Sequence, residues 1–358
     1  MAHARRILVL VIILAAVAAV LSGCRSKVQE DGETAGGPEA LPEPSGPTTQ
    51  RSVLVLCYHA MSPGAEATYD IPTEDFAQQL QLMADEGCES VTPSQIADYL
   101  EGRGDLPEKA VCITFDDGPE SILTESKPMM DEHGFVGAIF LITDAVGGEG
   151  KLSWDQVREL EAAGWEVGSH SACHEHATRI GAEECREEFA GSKAAIEAEI
   201  EGECAGLAYP YGLYDATVMS LARDAGYRIA FTIDRGPADW SDDLMRVPRQ
   251  MVVNGNSLKT FGTWLAQSKL HLEDVDPPIG ARVDTDTPTI TARVADEDVP
   301  VDGIEISRDG NPVSYDADAD TRTITFSPEL SEGANNLRMN VYGSPRREVS
   351  WVIVCDSE

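Results

Sequence analysis

Ala110-Val111-Cys112-Ile113-Thr114-Phe115-Asp116-Asp117-Gly118-Pro119 is the most informative segment of the chain. Its first six residues form an apolar run of strand length, which stops abruptly at two adjacent carboxylates followed by turn chemistry. Similar runs occupy Val53 to Tyr58, Ala138 to Ile142, Trp165 to Gly168, Leu207 to Tyr209 and Ile229 to Ile233, with helical patterns between them. Strands alternating with helices predict an α/β domain with parallel strands. Thr92-Pro93-Ser94-Gln95 and Ser153-Trp154-Asp155-Gln156 read as capping boxes that start two helices, and Gly87, Gly102 and Gly164 sit where helices end. Phe76, Leu80 and Met83 recur at helical spacing and are read as core against the sheet.

Three strand ends carry candidate chemistry. Neighbouring Asp116 and Asp117 repel each other when partly desolvated, and a divalent cation is a common way to keep both ionised, although Asp-Gly-Pro alone is ordinary turn chemistry. The run Trp165 to Gly168 leads into Ser169-His170-Ser171-Ala172-Cys173-His174. Two imidazoles four apart would share one face if this segment coils into a helical turn. One carboxylate would then complete a three-ligand site with a position left for water. His176 is either an alternative ligand or a solvated neighbour. In Ala208-Tyr209-Pro210-Tyr211-Gly212, Pro and Gly force a turn that can aim the Tyr211 backbone N–H at a reacting carbonyl oxygen.

Taken together, Thr114-Phe115-Asp116-Asp117-Gly118, His170-Ser171-Ala172-Cys173-His174 and Tyr209-Pro210-Tyr211-Gly212 resemble the successive motifs of the polysaccharide deacetylases, carbohydrate esterase family 4. The resemblance runs from about Val53 to Lys269. It implies a distorted (β/α)7-type barrel and a divalent metal, zinc being the expected ion, held by Asp117, His170 and His174. Asp116 would be the general base, and Tyr211 would stabilise the oxyanion. Cys57-Tyr58-His59 resembles the start of the poly-N-acetylglucosamine deacetylase branch, which makes His59 the candidate general acid. Asp239-Trp240 resembles the family's fourth motif, so Trp240 is expected as a sugar-stacking wall, with Pro210 as a second substrate contact. Ala208 stands where many members carry an Arg. Arg249 is therefore read either as a replacement brace for Asp116 or as a surface ion pair, and His271 as part of a linker.

The implied activity is removal of N-acetyl groups from an N-acetylglucosamine-containing polysaccharide outside the cell. The alternatives are an O-acetyl esterase on acetylated polysaccharide and a non-catalytic glycan-binding lipoprotein. Charge is consistent with all three: 27 Lys and Arg against 62 Asp and Glu give −35, which repels phosphate backbones and argues against a nucleic-acid partner. An acetylated glycan polymer is the expected partner, and the protein is expected to be a monomer.

Outside that region, Arg5 and Arg6 precede an apolar run from Ile7 to Leu21, followed by Leu21-Ser22-Gly23-Cys24. The run is shorter than the roughly 20 residues that span a bilayer, and its end resembles a bacterial lipobox. Residues 1–24 are therefore expected to be a lipoprotein signal peptide, with Cys24 lipidated and the protein anchored to the outer face of the membrane. Residues 25–50 are rich in Gly, Pro, Glu and Ser and read as a flexible tether. The catalytic domain is assigned to 51–271. Residues 272–358, with short alternating runs and turn signals, read as an immunoglobulin-like β-sandwich that binds glycan or serves as a spacer. Cys57 and Cys112 are read as core; sequence leaves a Cys185–Cys204 pairing open.

Overall fold

The strand that begins at Ala110 buries every one of its residues, Ala110–Asp116. In the computed structural model, which describes residues 49–357, this strand (β2) pairs in parallel with β1 (Ser52–Tyr58), from Val53 opposite Ala110 to Tyr58 opposite Phe115. The sheet continues in parallel through β3 (Gly137–Leu141), β4 (Glu166–Ser169), β5 (Gly206–Ala208) and β6 (Ile229–Phe231). It then curls back on itself. Val247 bridges in parallel to Phe231, and β7 (Gln250–Met251) pairs in parallel with Leu56 and Cys57 of β1, so one short segment touches both ends of the sheet. The α/β class and the curled parallel sheet are as expected.

Side-chain alternation divides each strand between two cores. Leu54, Leu56, Val111, Ile113 and Phe115 pack with helix residues such as Phe76, Leu80 and Met83. Val53, Val55, Ala110 and Cys112 point the other way, into a second cluster with Phe140, Ala208, Phe231 and Val247. Asp116 continues the inward series of Ala110, Cys112 and Thr114. Helices α1 (Thr73–Asp85), α2 (Pro93–Leu100) and α3 (Trp154–Ala162) cover the sheet. Both expected capping boxes form, with Thr92 and Ser153 as N-caps and Gln95 and Gln156 reaching back.

The carboxyl-terminal region is built from two sheets. One orders Ser268–Lys269, Arg347–Cys355, Gly333–Val341, Glu305–Arg308 and Asn311–Val313; the other orders Leu272–Asp276, Ile290–Val294, Thr323–Phe326 and Tyr315–Asp318. Ile290, Ala292, Ile324 and Phe326 from the second meet Ile306, Leu337, Met339, Trp351 and Ile353 from the first in one core. Two sheets face each other over a shared apolar layer, which is a β-sandwich.

The sandwich is fused to the α/β region. Ser268–Lys269, on the catalytic side of the boundary expected at 271, already pairs in parallel with Arg347–Glu348. Val352 and Val354 belong to the core of the α/β region. Backbone groups cross the junction as well: Arg235 N–H donates to Ser350 Oγ at 2.6 Å and Ala216 N–H to the Gly280 carbonyl at 3.1 Å.

All seven described cysteines are free, Cys185 and Cys204 included. No helix among the described residues is long and apolar enough to cross a membrane. The expected signal peptide 1–24, the lipidated Cys24 and nearly all of the 25–50 tether lie outside the described residues.

Candidate active site

Parallel strands all present their carboxyl ends on one side, so residues far apart in sequence meet there. Asp116 closes β2, and His170 and the loop to His174 follow β4 directly. Asp117 Oδ1 lies 3.7 Å from His170 Nε2 and 3.9 Å from His174 Nε2, and the two Nε2 atoms are 3.1 Å apart. Ligands about 2.0–2.2 Å from a tetrahedral ion stand roughly 3.2–3.6 Å from one another, so these three atoms have the spacing of a coordination face. Asp117 Oδ1 is buried without any hydrogen-bond partner, as a carboxylate oxygen kept for a cation would be. Among the described residues, Asp117, His170 and His174 form the one cluster that could hold a metal ion.

The histidines converge by a different route from the one expected. No helical turn follows β4. The loop instead reverses through left-handed backbone at Ser171 (φ 63°) and His174 (φ 65°). Ser171 Oγ accepts the His174 N–H at 2.9 Å, and Glu188 accepts the N–H groups of Ala172 and Cys173 at 3.0 and 2.8 Å. His170 Nδ1 lies 2.7 Å from the Ala208 carbonyl and must donate to it, which leaves the Nε2 lone pair facing the cluster. Burial and the neighbouring His170 push His174 down to about 4, so its ring is neutral near pH 7 and free to ligate.

Strain gathers at this end of the sheet. Among the described residues seven non-glycines have positive φ, and four of them are Asp117, Ser171, His174 and Tyr211. Conformations of this kind cost of order 1–3 kcal/mol each and persist where packing over-determines them. Two glycines make the turns feasible. A Cβ on Gly118 would stand 2.7 Å from Leu141 Cδ2, and one on Gly212 would stand 2.2 Å from Ile233 Cγ1.

Asp116 is buried and held from behind. Arg249, fully buried, places Nη1 2.7 Å from Asp116 Oδ1 and Nη2 2.7 Å from Oδ2. The guanidinium also donates to the Thr232 carbonyl at 3.0 Å and Thr114 Oγ1 at 3.2 Å. Burial raises the Asp116 carboxyl, but Arg249, with His170 and His59 adding to it, holds the group well below the usual carboxylate range. Of the two readings of Arg249, the brace is the one realised, and it fills the role left vacant by Ala208. Asp116 Oδ2 faces the cluster, 3.8 Å from His170 Nε2, and accepts the Cys57 thiol at 3.3 Å.

His59 follows β1 at the same rim. Its ring packs at a tilt against Tyr69, with centroids 5.0 Å apart, and its buried Nδ1 has no partner. Burial lowers it below the ordinary histidine value, against the pull of Asp116 and Asp117. Tyr211 stacks in parallel on His176 at 3.8 Å and leans on His174 at 4.5 Å. His176 is thus a packing partner of Tyr211, outside the three-residue cluster.

Two expected substrate contacts are corrected. Pro210 is buried in the turn that shapes Tyr211 and presents no surface to a ligand. Trp240 lies at the opposite end of the sheet, because Asp239 before it pairs with Ser52 at the start of β1. Seven residues of β1 separate that point from the catalytic rim, about 20 Å of strand. Trp240 stacks there on His271, with centroids 5.6 Å apart. His271, read as linker, is gripped between Asp239 at 2.8 Å and Asp296 at 2.9 Å. Tyr69 escaped the sequence reading because nothing local ties it to His59.

Comparison with known proteins agrees with this geometry. Residues 103–230, which include Asp116, Asp117, His170, His174 and Tyr211, match the polysaccharide deacetylase family. The YxkH protein of Bacillus subtilis, named for the same family, is 26% identical over 215 residues, covering 60% of this chain and 76% of its own. The poly-β-1,6-N-acetyl-D-glucosamine N-deacetylase of Staphylococcus epidermidis is 25% identical over 202 residues, covering 52% of this chain and 69% of its own. The fold matches that of the Streptococcus pyogenes deacetylase PplD solved with acetate, with a TM-score of 0.58 and 22% identity, over 61% of this chain and 99% of that one. Motif order and sequence likeness together show that the chain carries a polysaccharide deacetylase domain, of carbohydrate esterase family 4, with homology to the poly-N-acetylglucosamine N-deacetylases.

Proposed function

We propose that the protein is a divalent-metal-dependent hydrolase that removes N-acetyl groups from an N-acetylglucosamine-containing polysaccharide at the cell exterior. The observation that carries this reading is the convergence of Asp117 Oδ1, His170 Nε2 and His174 Nε2 beside a second carboxylate, Asp116, that is clamped in the ionised state. Asp117, His170 and His174 would hold the cation, which when bound supplies Lewis-acid polarisation of the acetamide carbonyl and acidifies water.

The chain's own groups then divide the proton traffic. Asp116 takes the proton of the attacking water; Arg249 keeps it ionised and fixes which oxygen faces the cluster. Tyr211, wedged between Pro210 and Gly212, stacked on His176 and leaning on His174, offers its backbone N–H to the developing oxyanion. His59 delivers a proton to the departing amine. An imidazolium whose pKa is lowered by burial is a stronger acid than one in water, which suits that role. The products are acetate and a glucosamine nitrogen.

Export through residues 1–24 and a lipid on Cys24 would hold the enzyme at the outer face of the cell membrane, with the immunoglobulin-like sandwich beside the catalytic region. The test is acetate release by the full chain from N-acetylglucosamine oligomers and, in parallel, from acetylated xylan. Release from the amide substrates, reduced at least ~100-fold by Asp116→Asn with the circular dichroism spectrum intact, is expected. Release from the ester alone would replace this reading with the esterase one. Bound metal without acetate from either substrate would leave glycan binding.

A further inference from the structure

A cleft of about 480 Å3 opens between the catalytic rim and the sandwich. Its catalytic side carries Tyr69, in tilted contact with His59, and Tyr211, stacked on His176 and leaning on His174. These are two of the five large apolar side chains left exposed among the described residues, at 52% and 46%. Aromatic faces open to solvent beside a hydrolytic centre are natural stacking surfaces for sugar rings. The opposite wall belongs to the sandwich, with Asp309, Asn336 and Arg338. That wall is fixed: Gly236, beside the cleft, leaves only 2.8 Å between the position of a Cβ and the Glu348 carbonyl, and Val352 sits in the shared core.

The charge in this cleft runs against that of the molecule. Arg235 lines it, is exposed, and makes no ion pair among the described residues. Arg338 and Arg346 are nearby, and both lean on the single buried carboxylate of Glu348, at 2.5 and 3.5 Å. Desolvation by the surrounding chain lowers the Arg235 pKa first, with Arg338 and Arg346 adding to the fall and Glu348 opposing it. Asp309 is already engaged, accepting the Asn336 N–H at 2.9 Å and pairing with Arg308. In a chain of net charge −35, a surplus of guanidinium facing a cleft calls for an anionic ligand group.

We propose that this cleft is the subsite for a sugar adjoining the one deacetylated, that this sugar bears a carboxylate received by Arg235, and that the sandwich, through Asn336, helps select the polymer. The inference rests on the deacetylase reading for the identity of the chain it binds. Carboxylates on acetylated glycans come from a lactyl ether, as in muramic acid, or from a hexuronate.

The test is calorimetric binding to the full chain in the presence of a chelator, so that acetyl groups stay in place. Ligands are a muramic-acid-containing tetrasaccharide, a hexuronate-containing acetylated oligosaccharide, and the carboxyl-reduced form of each. One or both acidic ligands should bind about tenfold more tightly than the reduced form, and whichever does so names the source. Arg235→Ala should bring that preference within about twofold, and Asn336→Ala should weaken both forms roughly threefold, with thermal midpoints unchanged. Equal binding of acidic and reduced ligands by the parent protein, a preference that survives Arg235→Ala, or an Asn336→Ala protein that binds like the parent would overturn the proposal. Because no turnover is needed, failure of acetate release would refute the activity without touching this measurement.

Discussion

Arg249 and Asp116 form a two-pronged buried pair, Nη1 to Oδ1 and Nη2 to Oδ2, both at 2.7 Å, between residues 133 positions apart. The pair ties β2 to the segment that closes the sheet and fixes the orientation of the candidate base.

Arg249→Ala leaves a buried carboxylate without its counter-charge, a loss of about 3–5 kcal/mol. In a chain of this size that lowers the thermal midpoint by about 10 °C. Arg249→Lys keeps charge but loses the fork, and kcat should fall ~100-fold. Arg249 depresses the Asp116 carboxyl, so the pair's stabilisation is fully present above the ordinary carboxylate pKa and is lost as pH falls toward the depressed folded value. In Arg249→Lys the acid limb of the kcat profile should move to higher pH. An unmoved limb would detach Arg249 from the base.

Replacement of Asp117 by Asn, or of His170 or His174 by Ala, removes one of three converging ligand atoms. Elemental analysis should find about one divalent ion per parent chain and less than about a tenth of that in each variant. Chelation should lower the parent's thermal midpoint, and zinc should restore it. Variants that retain stoichiometric metal would relocate the site.

His59→Gln should reduce kcat ~100-fold while leaving metal content and thermal midpoint unchanged. The stability expectation follows from the structure, in which His59 Nδ1 makes no hydrogen bond to lose. An undiminished rate would remove His59 from proton transfer.

His271 is raised to about 8 by its hydrogen bond to Asp239, against burial, with Asp296 adding to the rise. A raised folded pKa means that the stabilisation is fully present below the unfolded value of about 6.5 and is lost as pH climbs through about 8. The ring is partly solvated, which reduces the effect to about 1 kcal/mol. Thermal midpoints measured from pH 6 to pH 9 should show this loss in the parent and none in His271→Gln. Parallel curves would contradict it.

Truncation after His271 should yield an aggregated protein, not a free catalytic domain. It would strip Val352 and Val354 from the α/β core and leave Asp215, buried and paired with Arg282 at 2.6 Å, without its partner. A soluble 49–271 fragment with a cooperative thermal transition would show that the sandwich is dispensable for folding.

The strands, the two capping boxes and the ends that carry Asp116, Asp117, His170 and His174 were legible because each is written in a window of a few residues: an apolar run, a cap, a turn. The pairing of Arg249 was visible only as one of two alternatives, and Trp240 was assigned to the wrong end. Both depend on which strand lies beside β1 and in which direction. No local pattern encodes the parallel pairing of Leu56 with Gln250 or the antiparallel pairing of Ser52 with Asp239.

The amino-acid order by itself therefore determined the α/β class, the acids and imidazoles that end its strands, and the turns that expose them, since these follow from backbone sterics and burial within short segments. It took the folded chain to show that a left-handed loop, not a helix, joins the histidines, that Arg249 stands behind Asp116, and that a sandwich read as a separate module walls a cleft beside the candidate site. The loop is set by contacts with Glu188 and Ala208, beyond the few residues that a local pattern covers; the other two outcomes arise from packing between segments more than a hundred residues apart, where sheet order and shared cores, not local preference, set the neighbours.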